Sequence, residues 1–344
     1  MKHMEKIVLR PAQHNPEDIR PSGSTTLSGS PPKGSVEGQS RRIGIVTEET
    51  ADLPQEIIEK HQIAIVPAKL DWPELEGLPG ENTFQKMREL EKRGIQSFGK
   101  TSQPSPKDFL DKYNYQLERF EKILCITLTS KLSGSYNSAI QAKNFLKPEQ
   151  KEKVFIIDSL SASCGQAIII LKAIDLIESG KKAEEIVKEL EKFIPQVRLF
   201  VIFEDPKWLE ASGRISHLVA NLLRKIAQAG IRPLLTFRNG KLIPAGIKGG
   251  AKDIPTALFK QFEVKTKRAR LQPTFHPLTG GGPLDGKKIR AVITHGDDFQ
   301  GAQRLRETIE KEFNNVEIVF LNIIDNVVGA PTGPNTLAIS WCEI

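Results

Sequence analysis

Ile123-Leu-Cys-Ile-Thr-Leu128, then Thr129-Ser-Lys-Leu-Ser-Gly-Ser135, then Val154-Phe-Ile-Ile157 and Asp158-Ser-Leu-Ser-Ala-Ser-Cys-Gly165 are the stretches that decide the fold. Each apolar run of four to six residues is the length of a buried strand. Each is followed by a Ser- and Gly-rich loop, then by a helix: Ser135 to Phe145 after the first, Ala162 to Glu178 after the second. Strand, loop and helix in alternation predict a largely parallel sheet with helices on both faces. Working outward, Ile43-Gly-Ile-Val46 and Ile63-Ala-Ile-Val66 read as two further strands, with Asp52-Leu-Pro54 opening a helix between them and Asp52 as its cap. Thr83 to Arg93 reads as a helix stopped by Gly94, and Ala162 to Glu178 and Ala183 to Phe193, separated by Gly180, as amphipathic ones.

A second set of elements follows. Leu199 to Phe203 is a strand, Pro206 to Ala211 and His217 to Gln228 are helices, and Ile231 to Phe237 with Lys241 to Ile247 flank Asn239-Gly240, a hairpin turn signal. A helix from Ile254 to Phe262, a strand from Ile289 to Thr294, a helix from Phe299 to Phe313, a strand from Val316 to Ile323 and a closing strand from Leu337 to Trp341 complete the chain. The expected fold class is α/β: two α/β domains, 43–197 and 198–344, their sheets covered by helices. Residues 1–42 are expected to be a disordered tail, because the Ser-, Gly- and Pro-rich stretch 22–40 has too little apolar content for a core. Residues 264–286, rich in basic residues, Gly and Pro, read as an insertion.

Composition narrows the function. With 39% hydrophobic and 26% charged residues the 344-residue chain reads as globular, and no apolar run approaches the roughly 20 residues of a membrane span. Three scattered cysteines and no signal-like N-terminus point to a cytoplasmic protein. The net charge of +7 is concentrated: between Lys265 and Arg290 seven basic residues face Asp285 alone, so this window holds six of the seven charges. Only Phe275 accompanies them, too little for base stacking, so nucleic acid is not expected as a partner. Six histidines and three cysteines show no metal spacing.

Four segments are dense in hydroxyls and glycine: 101–105, 129–135, 158–165 and 332–336. Taken singly, each reads as a helix cap. Together, at the ends of strands, they read as the rim of a ligand crevice suited to an anionic group. Two other readings remain open. Ser133 and His295 could be nucleophile and base of a serine hydrolase, although no Gly-x-Ser-x-Gly elbow surrounds Ser133. An α/β domain could also bind a nucleotide, although no Gly-x-Gly-x-x-Gly or Walker loop follows the first strand.

The ordered series Ile45-Val-Thr-Glu-Glu-Thr-Ala-Asp-Leu-Pro54, Thr101-Ser-Gln-Pro-Ser-Pro106, Ser130-Lys-Leu-Ser-Gly-Ser-Tyr136, Ile157-Asp-Ser-Leu-Ser-Ala-Ser163, Ser212-Gly-Arg-Ile-Ser216, His295-Gly-Asp-Asp298 and Thr332-Gly-Pro334 resembles the DegV family. The resemblance implies a fatty acid held between two α/β domains, with no other cofactor and no catalytic residue. It further implies, for some members, delivery of that acid to a separate fatty acid kinase subunit. By position it assigns Thr101 and Ser133 to the carboxylate and Arg214 to the neighbourhood of the head group, with Ser102, Gly134, Ser135 and Thr332 in the same motifs. The loop Ser212-Gly-Arg214 suggests that Arg214 stands at the pocket mouth. The chain departs from the family pattern at Glu48-Glu49, where Asp-Ser is usual, at Lys248-Gly249-Gly250, and at Pro331, where the family has a histidine of the carboxylate network. His295 is the candidate replacement for that imidazole.

Overall fold

The computed structural model describes residues 43–229, 231–248, 251, 253–271 and 287–344; the expected tail 1–42 lies outside them. Twelve strands are described: β1 Ile43–Glu48, β2 Ala64–Val66, β3 Lys69–Asp71, β4 Lys100–Ser102, β5 Lys122–Thr127, β6 Val154–Asp158, β7 Arg198–Ile202, β8 Arg232–Arg238, β9 Lys241–Lys248, β10 Ile289–His295, β11 Val316–Ile323 and β12 Leu337–Glu343. Four of them form a wholly parallel sheet in the order β2-β1-β5-β6. Strand order reverses between β1 and β5, so the loops leaving these two strands diverge and leave a crevice at their carboxyl ends. Six strands form a mixed sheet in the order β11-β10-β12-β7-β8-β9, and β3 pairs with β4 in a small antiparallel ribbon. Every strand before Arg198 lies in the first sheet or the ribbon, and every strand after it in the second.

The closing strand is central, not peripheral. β12 runs antiparallel to both β10 and β7, pairing Ile339 with Ile293 on one side and with Phe200 on the other. Only β10 and β11 in this sheet are parallel.

The helix Cys164–Glu178 joins the two sheets. Expected to be amphipathic, it is apolar nearly all round: Ala167, Ile168, Ile169, Ile170 and Ala173 are all fully buried. Such a helix belongs inside a core, because it has no face to give to water. Here it packs against β5 of the first sheet and against β7, β10 and β12 of the second. One apolar cluster therefore runs from Ile45 and Ile126 through this helix to Leu199, Val292 and Ala338, and the described residues fall in one compact unit. The neighbouring helix Ala183–Phe193 is amphipathic as expected, burying Ala183, Ile186, Leu190 and Phe193 in one stripe.

Two local expectations need correction. Asp52 does not cap a helix. The helix Gln55–Lys60 is preceded by Pro54, while Asp52 has φ +52 and turns its carboxylate into the interior. The helix from Ile254, expected to end at Phe262, continues to Leu271. The Asn-Gly turn has the backbone its sequence requires: Asn239 at φ +50, Gly240 at φ +77, with Arg238 paired to Lys241.

This hairpin tip also touches the first half of the chain. Thr129 Oγ1 donates to the Gly240 carbonyl at 2.9 Å, and a Cβ on Gly240 would lie 2.5 Å from that oxygen. Gly240→Ala combines left-handed backbone strain with this collision. It should lower stability by about 1–3 kcal/mol, read as a lower urea midpoint with an unchanged slope.

Candidate functional site

A cavity opens between the sheets at the β1/β5 switch point. Its empty space, open solvent included, is about 760 Å³. Leu128, Leu132 and Ser133 come from the loop after β5, and Thr50 from the turn after β1. Leu199 and Val201 of β7, Phe203 just beyond it, Phe237 and Leu242 of the hairpin, and Ala338 of β12 form an apolar wall. The short helix Asn326–Thr332 adds Val327, Val328, Pro331 and Thr332. Among the described residues, the polar side chains of the lining are those of Thr50, Ser133, Ser163, Arg214, Thr332 and Thr336.

Counting protons shows which of these groups can serve a ligand. Thr50 donates to Gln166 Oε1 at 3.4 Å, Thr332 to the Val328 carbonyl at 2.8 Å and Thr336 to the Thr332 carbonyl at 2.8 Å. Ser163 donates to the Asp52 carboxylate. A hydroxyl has one proton, so these four are committed within the protein. Ser133 is not: its oxygen accepts from the Ser135 amide at 3.2 Å and lies 2.9 Å from Ser135 Oγ, where either may donate. Thr332, expected as a site residue, thus contributes wall rather than a donor.

Arg214 is half-buried in this lining. Its guanidinium donates to the Ser212 carbonyl at 3.1 Å and to Thr101 Oγ1 at 2.9 Å. Burial alone pulls its pKa down from the usual arginine value, and among the described residues no carboxylate pairs with it. Because Thr101 accepts from Arg214, its own proton remains free. Thr101, in the β3–β4 ribbon and outside the lining itself, therefore reaches the site through the arginine. Among the described side chains at the site, Ser133, Thr101 and Arg214 can still donate to an anion.

The other expected residues lie elsewhere. Ser102 is exposed on β4, and Gly134 packs under the Gln103 side chain. Ser135 is buried behind Ser133. His295 ends β10 with its ring against Phe299, outside the cavity lining, and burial lowers its pKa. Ser133 bonds to a serine and not to this imidazole, so the nucleophile–base pair of the hydrolase reading is not assembled. Among the described residues no group of three or more His, Cys, Asp or Glu could hold a metal ion.

Sequence reasoning missed the polar floor beside the cavity. Asp52, fully enclosed, accepts from Ser163 Oγ and from the Asp325 amide at 2.8 Å, and its backbone carbonyl accepts from Asn322 at 2.9 Å. Ser163, itself at φ +50, also lies 2.8 Å from Thr294 Oγ1. Asp325 in turn caps the helix Asn326–Thr332 through the Val327 and Val328 amides. Glu48 completes the group: its carboxylate accepts from the Leu128 amide at 2.7 Å, and burial raises its pKa to about 7. Burial likewise raises Asp52 well above the usual carboxylate range, with the nearby Asp325 charge adding to it, and raises Asp325. The signal was present in Thr50-Ala-Asp-Leu53, but a buried acid and a helix cap look alike in sequence.

A family model described as an uncharacterised protein of the DegV family matches residues 42–343. The chain is similar to a fatty acid-binding protein of Thermotoga maritima, 30% identical over 305 residues that cover 86% of this chain and 96% of that protein. Among solved structures, a DegV family protein from Thermus thermophilus described by its fatty acid binding aligns with a TM-score of 0.71 and 26% identity, over 88% of this chain and 100% of that one. A stearic acid-binding protein from Eubacterium ventriosum, 21% identical, shares the fold with a TM-score of 0.71 over 88% and 98% of the two chains.

Raised carboxyl pKa values have a signed consequence for stability. The folded state holds protons that the unfolded chain releases, so the contribution is complete below the unfolded values and lost as pH rises through the folded ones. Folding stability should therefore fall from about pH 4.5 to about pH 7 on account of Glu48, with Asp52 adding to the decline. Urea titrations across this range should show the fall, and Asp52→Asn should flatten part of it. Asp52→Ala should lose about 1–3 kcal/mol outright, because the Asp325 amide is left unpaired.

Proposed function

The chain belongs to the DegV family, and from that premise we propose that it binds one fatty acid in the cavity between the sheets, with the carboxylate at Ser133, Thr101 and Arg214. The single observation that carries this reading is Arg214: a half-buried cation without a carboxylate partner among the described residues, bonded to Thr101 and sharing a largely apolar lining with Ser133. A carboxylate taken out of water needs charge-assisted hydrogen bonds. The acyl tail needs only apolar surface, which returns about 0.8 kcal/mol per buried CH₂. The fatty acid-binding relatives from Thermotoga maritima and Thermus thermophilus support the same ligand class.

On this reading the protein is a carrier rather than a catalyst. It works in the cytoplasm and presents the acid to a kinase subunit that phosphorylates the carboxylate. Pro331 leaves the family's imidazole position without a donor, so Arg214 and the two hydroxyls carry the head group here.

Native mass spectrometry of protein purified from cells should show one added mass of fatty-acid size; a nucleotide mass in its place would overturn the reading. Ser133→Ala should weaken binding roughly ten-fold or more, since a bond to a charged group contributes about 1.5–3 kcal/mol. Arg214→Ala should weaken a carboxylate ligand more than the corresponding alcohol, measured by titration calorimetry on delipidated protein. Equal losses for acid and alcohol would place the carboxylate elsewhere.

A further inference from the structure

The ligand cavity lies between two sheets that cannot part to admit anything. The helix Cys164–Glu178 is buried against β5 on one side and β7, β10 and β12 on the other, and prising the sheets apart would expose its isoleucines to water. Entry therefore requires another wall to move. The loop after β5 is pinned by the Thr129 amide on the Ser161 carbonyl at 2.9 Å and by the Ser130 amide on the Asp158 carboxylate at 3.2 Å. The helix Asn326–Thr332 is held at its start by Asp325, itself bonded to Asp52. The β8–β9 hairpin is fastened unevenly along its length.

Its base is anchored by Leu234 and Leu235, both buried. β7 pairs with β12 from Arg198 to Ile202, and β8 with β9 from Arg232 to Arg238, but β7 meets β8 in register at Val201 and Leu235 alone. At that point the hairpin ladder slips. Leu234 faces Gly246 and Leu235 faces Pro244, which leaves Ala245 as an unpaired bulge beside Gly246 at φ +120. A bulge next to a glycine is a place where a two-stranded ribbon bends. Beyond it, Phe237 and Leu242 line the cavity, each half-buried. Among the described residues, two side-chain hydrogen bonds tie this outer half to the rest of the protein. Thr236 Oγ1 donates to the Leu199 carbonyl at 2.6 Å, next to the bulge, and Thr129 Oγ1 donates to the Gly240 carbonyl at 2.9 Å, at the tip.

We propose that the outer half of the hairpin, Thr236 to Ile243, is the gate of the cavity: it swings on the Ala245 bulge, and the Thr129–Gly240 hydrogen bond is its latch. This rests on the fatty acid reading of the cavity and adds the route by which the acid enters and leaves. The tip is shaped to reseat in one place. Gly240 is buried in a saddle of Thr129, Lys131 and Leu160, where a Cβ would lie 2.5 Å from Thr129 Oγ1 and 2.9 Å from Lys131 Cγ. Neither Thr129 nor Gly240 lines the cavity. A latch that touches no ligand favours neither the bound nor the free state, so it governs how fast the acid exchanges and not how tightly it is held.

The test is the exchange of cis-parinarate, a fluorescent fatty acid, between the full chain and excess albumin, with affinity measured on the same protein. Thr129→Val removes the latch and keeps the branched shape. Release and uptake should both quicken by roughly two- to ten-fold, the effect of one hydrogen bond between neutral groups, with the dissociation constant unchanged. A second variant locks the gate: Thr129→Cys with Gly240→Cys. Its oxidised form should release parinarate roughly ten-fold more slowly, or slower still, than its reduced form, and strain at position 240 cancels because the two forms share it. An unchanged release rate in Thr129→Val, or a faster release matched in full by weaker binding, would overturn the latch. A crosslinked protein that releases as fast as its reduced form would overturn the gate. Should the double variant fail to fold or to crosslink, Thr129→Val decides alone. A parent that binds no parinarate refutes the fatty acid reading and the gate with it, whereas normal binding with unaltered exchange in the variants refutes the gate only.

Discussion

The structure depends on burying the helix Cys164–Glu178 from both sides. A helix carrying Ala167, Ile168, Ile169 and Ile170 in succession has no polar face, so one sheet cannot satisfy it. Each isoleucine taken out of water contributes roughly 1.5–3 kcal/mol, and that gain requires the parallel sheet on one side and the mixed sheet on the other. The two sheets are thereby held at a fixed separation. The cavity is the space left where their strand ends diverge, beside the first turn of the same helix.

This placement divides the labour at the site. The parallel sheet supplies polar groups, because strand ends at a switch point release backbone and hydroxyl groups together: Glu48 at the end of β1 and Thr50 after it, Ser133 and Ser135 after β5. The mixed sheet supplies the apolar wall. The polar groups are themselves sorted by hydrogen bonding. Thr50, Ser163, Thr332 and Thr336 spend their protons on protein acceptors, which leaves the donors facing the cavity few and specific.

The alternation of strands and helices was legible in the sequence because each element is short, apolar and punctuated. Ser135–Phe145 and His217–Gln228 have the boundaries that their patterns suggest, and Asn239-Gly240 could hardly be anything but a tight turn. Ser133 was legible as part of a hydroxyl-rich strand end, whereas Arg214 was legible as a cavity residue only through motif resemblance, since spacing alone does not bring residues 81 apart together. What escaped was whatever depends on distant partners. The helix Asn326–Thr332 contains Gly329 and Pro331, poor helix formers, and is held by the Asp325 cap and by packing against Trp208, whose ring a Cβ at Gly333 would strike at 2.1 Å. Asp52 reads as a helix cap until Asp325 and Ser163 are seen around it. The helix at 164 reads as amphipathic because Lys172 and Asp175 interrupt the apolar run, although both lie where the helix reaches the surface.

The Asp52 contacts also bear on the order in which the molecule matures. Its bonds to Asn322 and to the Asp325 amide join residues 270 and 273 positions apart. Contacts of such separation close late, because the loop entropy must be met before they return anything. During synthesis the turn after β1 emerges early; its acid can meet Ser163 once the first sheet is made, and waits for almost the whole chain for the Asp325 amide. The parallel sheet can assemble from neighbouring segments in the meantime, whereas the floor of the cavity becomes complete only when the last helix and β12 arrive. A chain truncated before residue 322 would lack β12, one wall of the buried helix and a finished pocket, which makes ligand competence a record that synthesis has passed this strand.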